Sequence, residues 1–319
     1  MAEMASTREA FVEALMELAK ANSSIALVSA DSLKALRATK FAETYPQRFF
    51  EVGIAEQASV AVAAGLAACG VVPFVGTYSG FITMRACEQV RTFVAYPGLS
   101  VKFVGLNGGL YGGEREGVTH QFFEDLGILR SIAGVDVIVP ADAAETRQAT
   151  LALARRPGPG FLRIGSGREP VIFDETVSFE FGKLRVMREY GRDVAVFACG
   201  PILRRALAAA ENLKSEVRAT VVEVHTLKPL DTAAVAAVLE RTGAAITVED
   251  HNIIGGLGSA IAEAAAESCP VPIVRVGLRD TYPESGEAEA LLDRYSMGVG
   301  DIEAAMRRAL QRKRNGRKQ

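Results

Sequence analysis

Two runs of this 319-residue chain put chemistry-bearing side chains next to turn formers. The first is Arg48-Phe49-Phe50-Glu51-Val52-Gly53-Ile54-Ala55-Glu56-Gln57. Its aromatics and valine end a predicted strand, and Gly53 permits a tight turn. Glu56 then opens a small-residue run, 58–68, of helical composition. Unpaired N–H groups and the dipole stabilise a carboxylate at a helix start, whether or not it has another role. The second run is a glycine-rich loop with glycines 105, 108, 109, 112, 113 and 117, ending in Thr119-His120-Gln121. A loop of about fifteen residues inside a compact domain is usually functional or disordered. The histidine at its end can serve structure, or it can donate to developing oxyanion charge and relay a proton. Between the two runs, Gly76-Thr77-Tyr78-Ser79-Gly80-Phe81 carries two aromatics. Aromatics at a strand end fill a core, or they offer a π face free of competing hydrogen bonds.

Short apolar strands alternating with helices must position these residues. Strands are predicted at 25–28, 48–52, 71–75, 101–104, 135–139 and 161–164. Helices are predicted from Ser6 or Thr7 to Lys20, then at 41–45, 58–68, 82–96, 122–132 and 143–155, with Pro97-Gly98 as a stop. The alternation predicts a parallel α/β sheet over 1–168. Glycine, proline and mixed charge break the pattern in 169–191, which reads as an interdomain connection. A second α/β unit follows over 192–319. Its predicted strands are 194–198, 219–224, 245–248 and 273–276, and its helices 203–213, 233–241 and 257–268. Asp301 is expected to cap a last helix, 302–312. The fold class is therefore α/β, with two consecutive domains built on mainly parallel sheets.

A length of 319 residues suits two domains, and 49% apolar residues suffices for two cores. The net charge of −2 gives no electrostatic case for nucleic acid or membrane binding. The basic tail from Arg312 reads as a frayed terminus. Cys69, Cys87, Cys199 and Cys269 stand far apart and form no metal-type pair, so buried free thiols are expected. The N-terminus has no apolar signal segment, and a soluble cytoplasmic protein is expected. His225 and His251 read as structural. The glycines after His251 have no phosphate-loop spacing.

The stretch Glu51-Val52-Gly53-Ile54-Ala55-Glu56-Gln57 closely resembles the pyrimidine-binding segment of the transketolase family. Thr247-Val248-Glu249-Asp250-His251-Asn252-Ile253-Ile254-Gly255-Gly256-Leu257-Gly258 resembles that family's C-terminal domain, so the resemblance covers nearly the whole chain. It implies thiamine diphosphate as cofactor. Glu56 becomes the carboxylate that hydrogen-bonds a pyrimidine nitrogen and favours the imino tautomer, so that the cofactor's own exocyclic nitrogen can take the thiazolium proton. Tyr78 and Phe81 match the aromatic pocket around the pyrimidine, and Asp31 matches a segment near the thiazolium, though an acid at a strand end is also a common turn former. His120 resembles the histidine that contacts the donor's hydroxyl or carbonyl oxygen. Glu116 stands where many relatives carry an aspartate that touches a substrate hydroxyl. Arg85 lies where some full-length transketolases have a further aromatic, and two readings stand: near the site, or on a helix face. Many relatives bind sugar phosphate with an arginine at the position of Ser166. Here Arg163 or Arg168 could substitute; otherwise the acceptor is not a usual sugar phosphate.

Full-length relatives hold the diphosphate through Mg²⁺ with a Gly-Asp-Gly motif. This sequence contains none, and its only Gly-Asp is Gly300-Asp301. The resemblance therefore implies the second subunit of a split transketolase, which moves a two-carbon ketol unit from a ketose to an aldehyde. It would act only with a partner chain that carries the motif and the Mg²⁺, in an α2β2 assembly. A beta-type subunit of a 2-oxo acid dehydrogenase has the same two domains but a different histidine segment. Deoxyxylulose phosphate synthase shares Tyr78-Ser79-x-Phe81 but is normally one chain. A non-catalytic binding or regulatory subunit is a further alternative, against which Glu56, both aromatics and His120 argue.

Overall fold

The structure, a computed structural model, describes residues 3–113 and 115–316. Its strands, in chain order, are β1 Met4–Ala5, β2 Ile25–Ser29, β3 Phe49–Glu51, β4 Val72–Tyr78, β5 Lys102–Leu106, β6 Asp136–Ile138 and β7 Gly160–Arg163. They continue as β8 Glu169–Pro170, β9 Arg185–Glu189, β10 Val194–Cys199, β11 Ala219–Glu223, β12 Thr226–Lys228, β13 Ala245–Asn252 and β14 Ile273–Leu278. Among the described residues, seven strands form one sheet in the order β12-β6-β7-β5-β4-β2-β3, and five form another, β14-β13-β10-β11-β9. β1 and β8 make a separate antiparallel pair.

Neighbours within each sheet are parallel except at one edge. β2, β3, β4, β5, β6 and β7 run the same way, as do β10, β11, β13 and β14. A parallel strand covered on both faces reads as a continuous apolar run. β2 and β10 fit this, since every residue in each is buried. The two-domain α/β fold class holds.

The two sheets are tied together in a way the sequence reading did not foresee. β12, which follows directly on β11, pairs antiparallel with β6 at the edge of the first sheet. β9 lies in the stretch read as a connection, yet it forms the antiparallel edge of the second sheet through β11. One hydrophobic cluster runs from Val28, Val75 and Phe103 to Phe197, Val222 and Ile261, so a shared core joins the units.

Several boundaries differ from expectation. The helix expected over 82–96 is a helical stretch, Phe81–Ala95, of wide π-type turns around a short α-helical piece, Cys87–Gln89. The helix expected from Phe122 starts at Asp125, because Phe122 pairs instead with Gly108 as an isolated bridge. The glycine-rich loop contains a short helix, Leu110–Gly113. A helix at Ala288–Arg294 was not expected at all. The last helix runs Val299–Gly316, so Asp301 lies inside its first turn, where its carboxylate accepts from the Gly298 N–H at 3.0 Å. The tail is thus helical through Gly316, and its final residues lie outside the described ones. Only Cys199 is buried; Cys69 is exposed, and Cys87 and Cys269 are half-buried. No helix among the described residues is long and apolar enough to cross a membrane.

Candidate active site

Parallel strands deliver their following loops to one edge of a sheet, where ligands of open α/β folds bind. Asp31 follows β2, Glu56 follows β3, Tyr78 ends β4, and Phe81 comes just after it. Glu116 and His120 follow β5, while Ser166 and Arg168 follow β7. Residues as far apart in the chain as Asp31 and Arg168 therefore share the carboxyl edge of one sheet.

Glu56 is the first residue of the helix Glu56–Ala68, whose buried face is Glu56, Ser59, Val60, Ala63 and Ala64. That i, i+3, i+4 spacing puts the carboxylate on the inward stripe, where only 3% of the residue is exposed. A buried carboxylate needs a partner. Oε1 accepts from Arg85 Nη1 at 2.8 Å, and Glu56 Oε2 makes no bond among the described residues. The Arg85 guanidinium lies 4.0 Å above the Phe81 ring, so Arg85 is at the site rather than on an unrelated helix face. Arg85 is half-exposed, at 47% of its side chain, so the pair is screened on one side.

The aromatics form a connected cluster. Tyr78 and Phe81 meet edge-on with centroids 5.6 Å apart. His120 stands edge-on to Tyr78 at 4.6 Å and to Phe81 at 5.5 Å. Phe122 packs on Phe81 at 5.5 Å. Gly80 is required here, because a Cβ would come within 2.0 Å of the Phe122 ring. Thr119 Oγ1 lies 2.9 Å from His120 Nδ1, which fixes the ring and leaves Nε2 for other partners. Edge-to-face contacts of this kind contribute about 0.5–1.5 kcal/mol each beyond simple burial.

Next to the cluster is a cavity of about 220 Å³ lined by Arg8, Arg37, Arg115 and Arg168 together with Asn107, Gly112, Glu116 and Ser166. Asn107 bridges it: Nδ2 donates to Glu116 Oε2, and Oδ1 accepts from Arg8 Nη2. Arg8 is held by further bonds to the carbonyls of Gly165 at 3.0 Å and Ala35 at 2.8 Å. Arg37 donates to Ser6 Oγ at 3.0 Å and Glu9 Oε1 at 2.6 Å. Arg168 is exposed and makes no bond among the described residues. Burial first, and then Glu116, push the Tyr78 hydroxyl above its ordinary range, while Arg8 opposes them. The phenol is therefore a neutral donor at pH 7, and the cavity and the aromatic cluster feel each other. A larger depression of about 1020 Å³ lies elsewhere, between the first helix and 171–175. It contains none of the residues singled out from the sequence.

Two candidates stand apart. Asp31 is exposed, with a left-handed backbone at φ 50°. Its N–H donates to Glu51 Oε1 at 2.7 Å, and its carboxylate makes no bond among the described residues. Arg163 does not line the arginine cavity. It is 5% exposed, and Nε donates to Asp125 Oδ2 at 2.8 Å, Nη1 to the Asp250 carbonyl at 2.9 Å and Nη2 to the Phe122 carbonyl at 2.9 Å. A guanidinium buried and committed in this way does not face the cavity, so of the two arginines considered for the Ser166 position only Arg168 lines it.

Sequence reasoning missed Asn107, Arg8 and the pair Ser79–Asp125, in which Ser79 Oγ donates to Asp125 Oδ2 at 2.5 Å. Asn107 carried a usable signal, since an asparagine between a strand and a glycine pair is a common left-handed turn residue, and its φ is 58°. Arg8 carried none, because it reaches the site only by packing of the first helix. His225 is buried on Phe179, with centroids 4.3 Å apart, and His251 is fully buried, so neither lines the site. Among the described residues, no group of three or more His, Cys, Asp and Glu is placed to hold a metal ion.

A carboxylate with a free oxygen beside an edge-stacked aromatic cluster fits a flat, nitrogen-bearing ring, and four arginines around one cavity fit an anion. Known proteins give this arrangement a context. The transketolase pyrimidine-binding domain matches residues 3–168, and the transketolase C-terminal domain matches 182–302. A 6-deoxy-6-sulfo-D-fructose transketolase subunit of a Clostridium species is 39% identical over 96% of this chain and 95% of its own length. A putative transketolase C-terminal section of Methanocaldococcus jannaschii is 36% identical over 91% of this chain and 92% of its own. One of the subunits of an apulose-4-phosphate transketolase from Phocaeicola vulgatus is 33% identical over 92% of this chain and 94% of its own. Among solved structures, a split-gene transketolase described as an inactive β4 tetramer superposes with a TM-score of 0.88 at 38% identity, over 98% of this chain and 100% of that one. Transketolase from Leishmania mexicana has the same fold, with a TM-score of 0.82 at 22% identity over 46% of its length. With both domains matched in order along its length, the chain belongs to the transketolase family.

Proposed function

We propose that this chain is the pyrimidine-side subunit of a two-chain transketolase that moves a two-carbon ketol unit from a ketose to an aldehyde. The observation that carries the reading is the buried Glu56 carboxylate, with one oxygen free, at the edge of the Tyr78–Phe81–His120 cluster. The family depends on thiamine diphosphate, which supplies an electron sink for breaking the bond beside a ketose carbonyl. Glu56 would hold the aminopyrimidine through a charge-assisted hydrogen bond at Oε2, the oxygen that Arg85 leaves free. Tyr78 and Phe81 would pack on the ring, and Asp31 would stand near the thiazolium end. His120, held by Thr119, would donate from Nε2 to the substrate oxygen as charge develops on it. Glu116 would accept from a substrate hydroxyl.

The arginine cavity favours an anionic group at the far end of the substrate, with Arg168 as its main free donor. Two relatives have names that specify a sulfonated and a phosphorylated sugar. The diphosphate and its Mg²⁺ are assigned to a second chain carrying Gly-Asp-Gly, in an α2β2 assembly. The surface supports a partner: Ile54 is 76% exposed, Tyr96 88%, Met84 46% and Phe93 43%, all near the Glu56 helix or the helical stretch after Phe81. Apolar side chains gathered in this way mark contact surfaces.

The test is to assay ketol transfer with thiamine diphosphate and Mg²⁺, first with this chain alone and then with a Gly-Asp-Gly partner. Activity only in the mixture is expected. Full turnover by the purified chain alone would overturn the two-chain reading.

A further inference from the structure

The second unit lines none of the aromatic cluster, yet it grips the loop that carries Glu116 and His120 at both ends. At the start, Asp250 Oδ1 accepts from the Leu110 N–H at 2.8 Å and Oδ2 accepts from the Tyr111 N–H at 2.9 Å. At the finish, the Asn252 N–H donates to the Phe123 carbonyl at 2.8 Å. Arg163 closes the frame by donating to the carbonyls of both Phe122 and Asp250. Two residues at the end of β13, Asp250 and Asn252, thus pin both ends of a loop that has little regular structure of its own.

The loop's sequence fits this anchor. Gly109 has φ +75°, and a Cβ there would lie 2.2 Å from Asp250 Oδ2. Asp250 is 4% exposed and Arg163 5%. The buried Asp250 carboxylate is held by two backbone N–H groups, and the Arg163 guanidinium nearby favours its charge. The frame also reaches the aromatic turn, since Arg163 and Ser79 both donate to Asp125 Oδ2. Loops without such anchors open at low free-energy cost, and a displacement of about 1 Å at a reacting group can cost about a hundredfold in rate.

We infer that Asp250 and Arg163 are positioning residues for ketol transfer, and that the second unit acts in catalysis by clamping the loop that presents His120 and Glu116. The inference rests on the proposed function for its kinetic half only. Two variants test it from opposite sides: Asp250→Asn removes one acceptor oxygen, and Gly109→Ala pushes the loop off the carboxylate while leaving both Asp250 and Arg163 in place. In the isolated chain, amide exchange of peptides spanning 108–123 should quicken at least about tenfold, with peptides from β2, β4 and β10 unchanged. In the reconstituted enzyme, kcat should fall about 10–100-fold while the thiamine diphosphate dissociation constant stays within about twofold. Wild-type exchange in the loop overturns the clamp, and a freed loop with wild-type kcat overturns its role in catalysis. Equal loss of protection across the chain, with cofactor affinity lost in step, would reduce these residues to general stability. If the wild-type mixture transfers no ketol unit, the proposed function fails, and the exchange arm still decides the clamp.

Discussion

The proposed cofactor-facing and substrate-facing halves of the candidate site are built differently. Glu56 opens a thirteen-residue helix, and Tyr78 ends a seven-residue strand. Their positions follow from elements of the first unit, and Glu56 is held further by Arg85 and Tyr78 by its ring contact with Phe81 at 5.6 Å. Glu116 and His120 lie on a loop whose only helix among the described residues is Leu110–Gly113, and it takes its fixed points from Arg163 and the second unit: β13 at its ends, with Glu289 on the Tyr111 hydroxyl and the Glu284 carbonyl on Gln121. The first half should tolerate damage to the second unit, and the second half should not. Sites on regular elements are held by their own packing, whereas sites on loops must take their order from elsewhere.

The largest expected effect lies in the first half. Glu56→Gln keeps the volume and one acceptor oxygen but loses the charge. Turnover of the reconstituted enzyme should fall about 10²–10⁴-fold, the range for a positioned acid–base group. Stability should change by only about 1 kcal/mol, as for other polar substitutions at a helix start. Near-wild-type rates at saturating cofactor would remove Glu56 from the mechanism.

The next effect separates the halves. Phe81→Ala removes ring contacts with Tyr78, His120 and Phe122 and should raise the cofactor dissociation constant at least about tenfold; Tyr78→Ala should act in the same direction. His120→Ala should leave that constant nearly unchanged and cut turnover of the donor ketose about 10²-fold. Titration by calorimetry or circular dichroism distinguishes them. Equal loss of cofactor in His120→Ala and Phe81→Ala would erase the division between the halves.

A smaller effect belongs to the arginine cavity. Arg168→Ala should raise KM about tenfold for substrates ending in phosphate or sulfonate, as expected for one lost charge-assisted contact, and leave kcat and uncharged analogues almost unaltered. Equal changes for charged and uncharged substrates would refute an anion-reading role for Arg168.

The same difference between the halves governs what could be read in the sequence. The Glu56 helix, β2, β4 and the aromatic turn obey local rules of period and turn chemistry, so both their existence and their order were legible. Arg163 was read as a substrate residue because a guanidinium beside a strand end suits phosphate. Its true partners, Asp125 and Asp250, lie 38 and 87 positions away, and no local pattern marks such a contact. β12 was invisible for the same reason: three residues gain strand geometry only by pairing with β6. Asp250 was noticed only as part of a glycine-rich run, since its meaning depends on a loop 140 positions earlier.

Acid should separate the halves with the smallest effect, acting where the second unit meets the first. Burial, aided by Arg185, pushes the His225 imidazole down to about 3 from an ordinary 6.5. Burial likewise pushes His251 down to about 4, with Asp125 opposing and Arg163 reinforcing. Both rings are neutral in the fold, whereas in an unfolded chain they charge near 6.5. The stability they contribute is therefore fully present above pH 6.5 and lost as the pH falls through 4 for His251 and 3 for His225, by at most about 1.4 kcal/mol per pH unit for each group. Glu249 works the other way. Burial raises it to about 7 from an ordinary 4.5, so its contribution is complete below 4.5 and lost as the pH rises through 7. It packs 3.9 Å from His251, and the two slopes oppose each other between about 4.5 and 6.5. The His225 ring packs on Phe179 and lies 2.8 Å from Thr226 Oγ1, and Glu223, raised by burial and by Glu145 and paired with the same Arg185, opposes its slope. Between pH 7 and 4 the urea midpoint of His225→Gln, which cannot take up the proton, should lose less or gain more with acid than that of the wild-type chain. The β12–β6 seam adjoins His225, where the Val139 N–H donates to the His225 carbonyl at 2.8 Å. Protection of the Val139 amide, relative to its intrinsic exchange rate at each pH, should therefore fall in acid before protection in the Glu56 helix does. An unchanged slope in His225→Gln, or simultaneous opening of both regions, would show that this junction is no weaker toward protons than the cofactor-facing half.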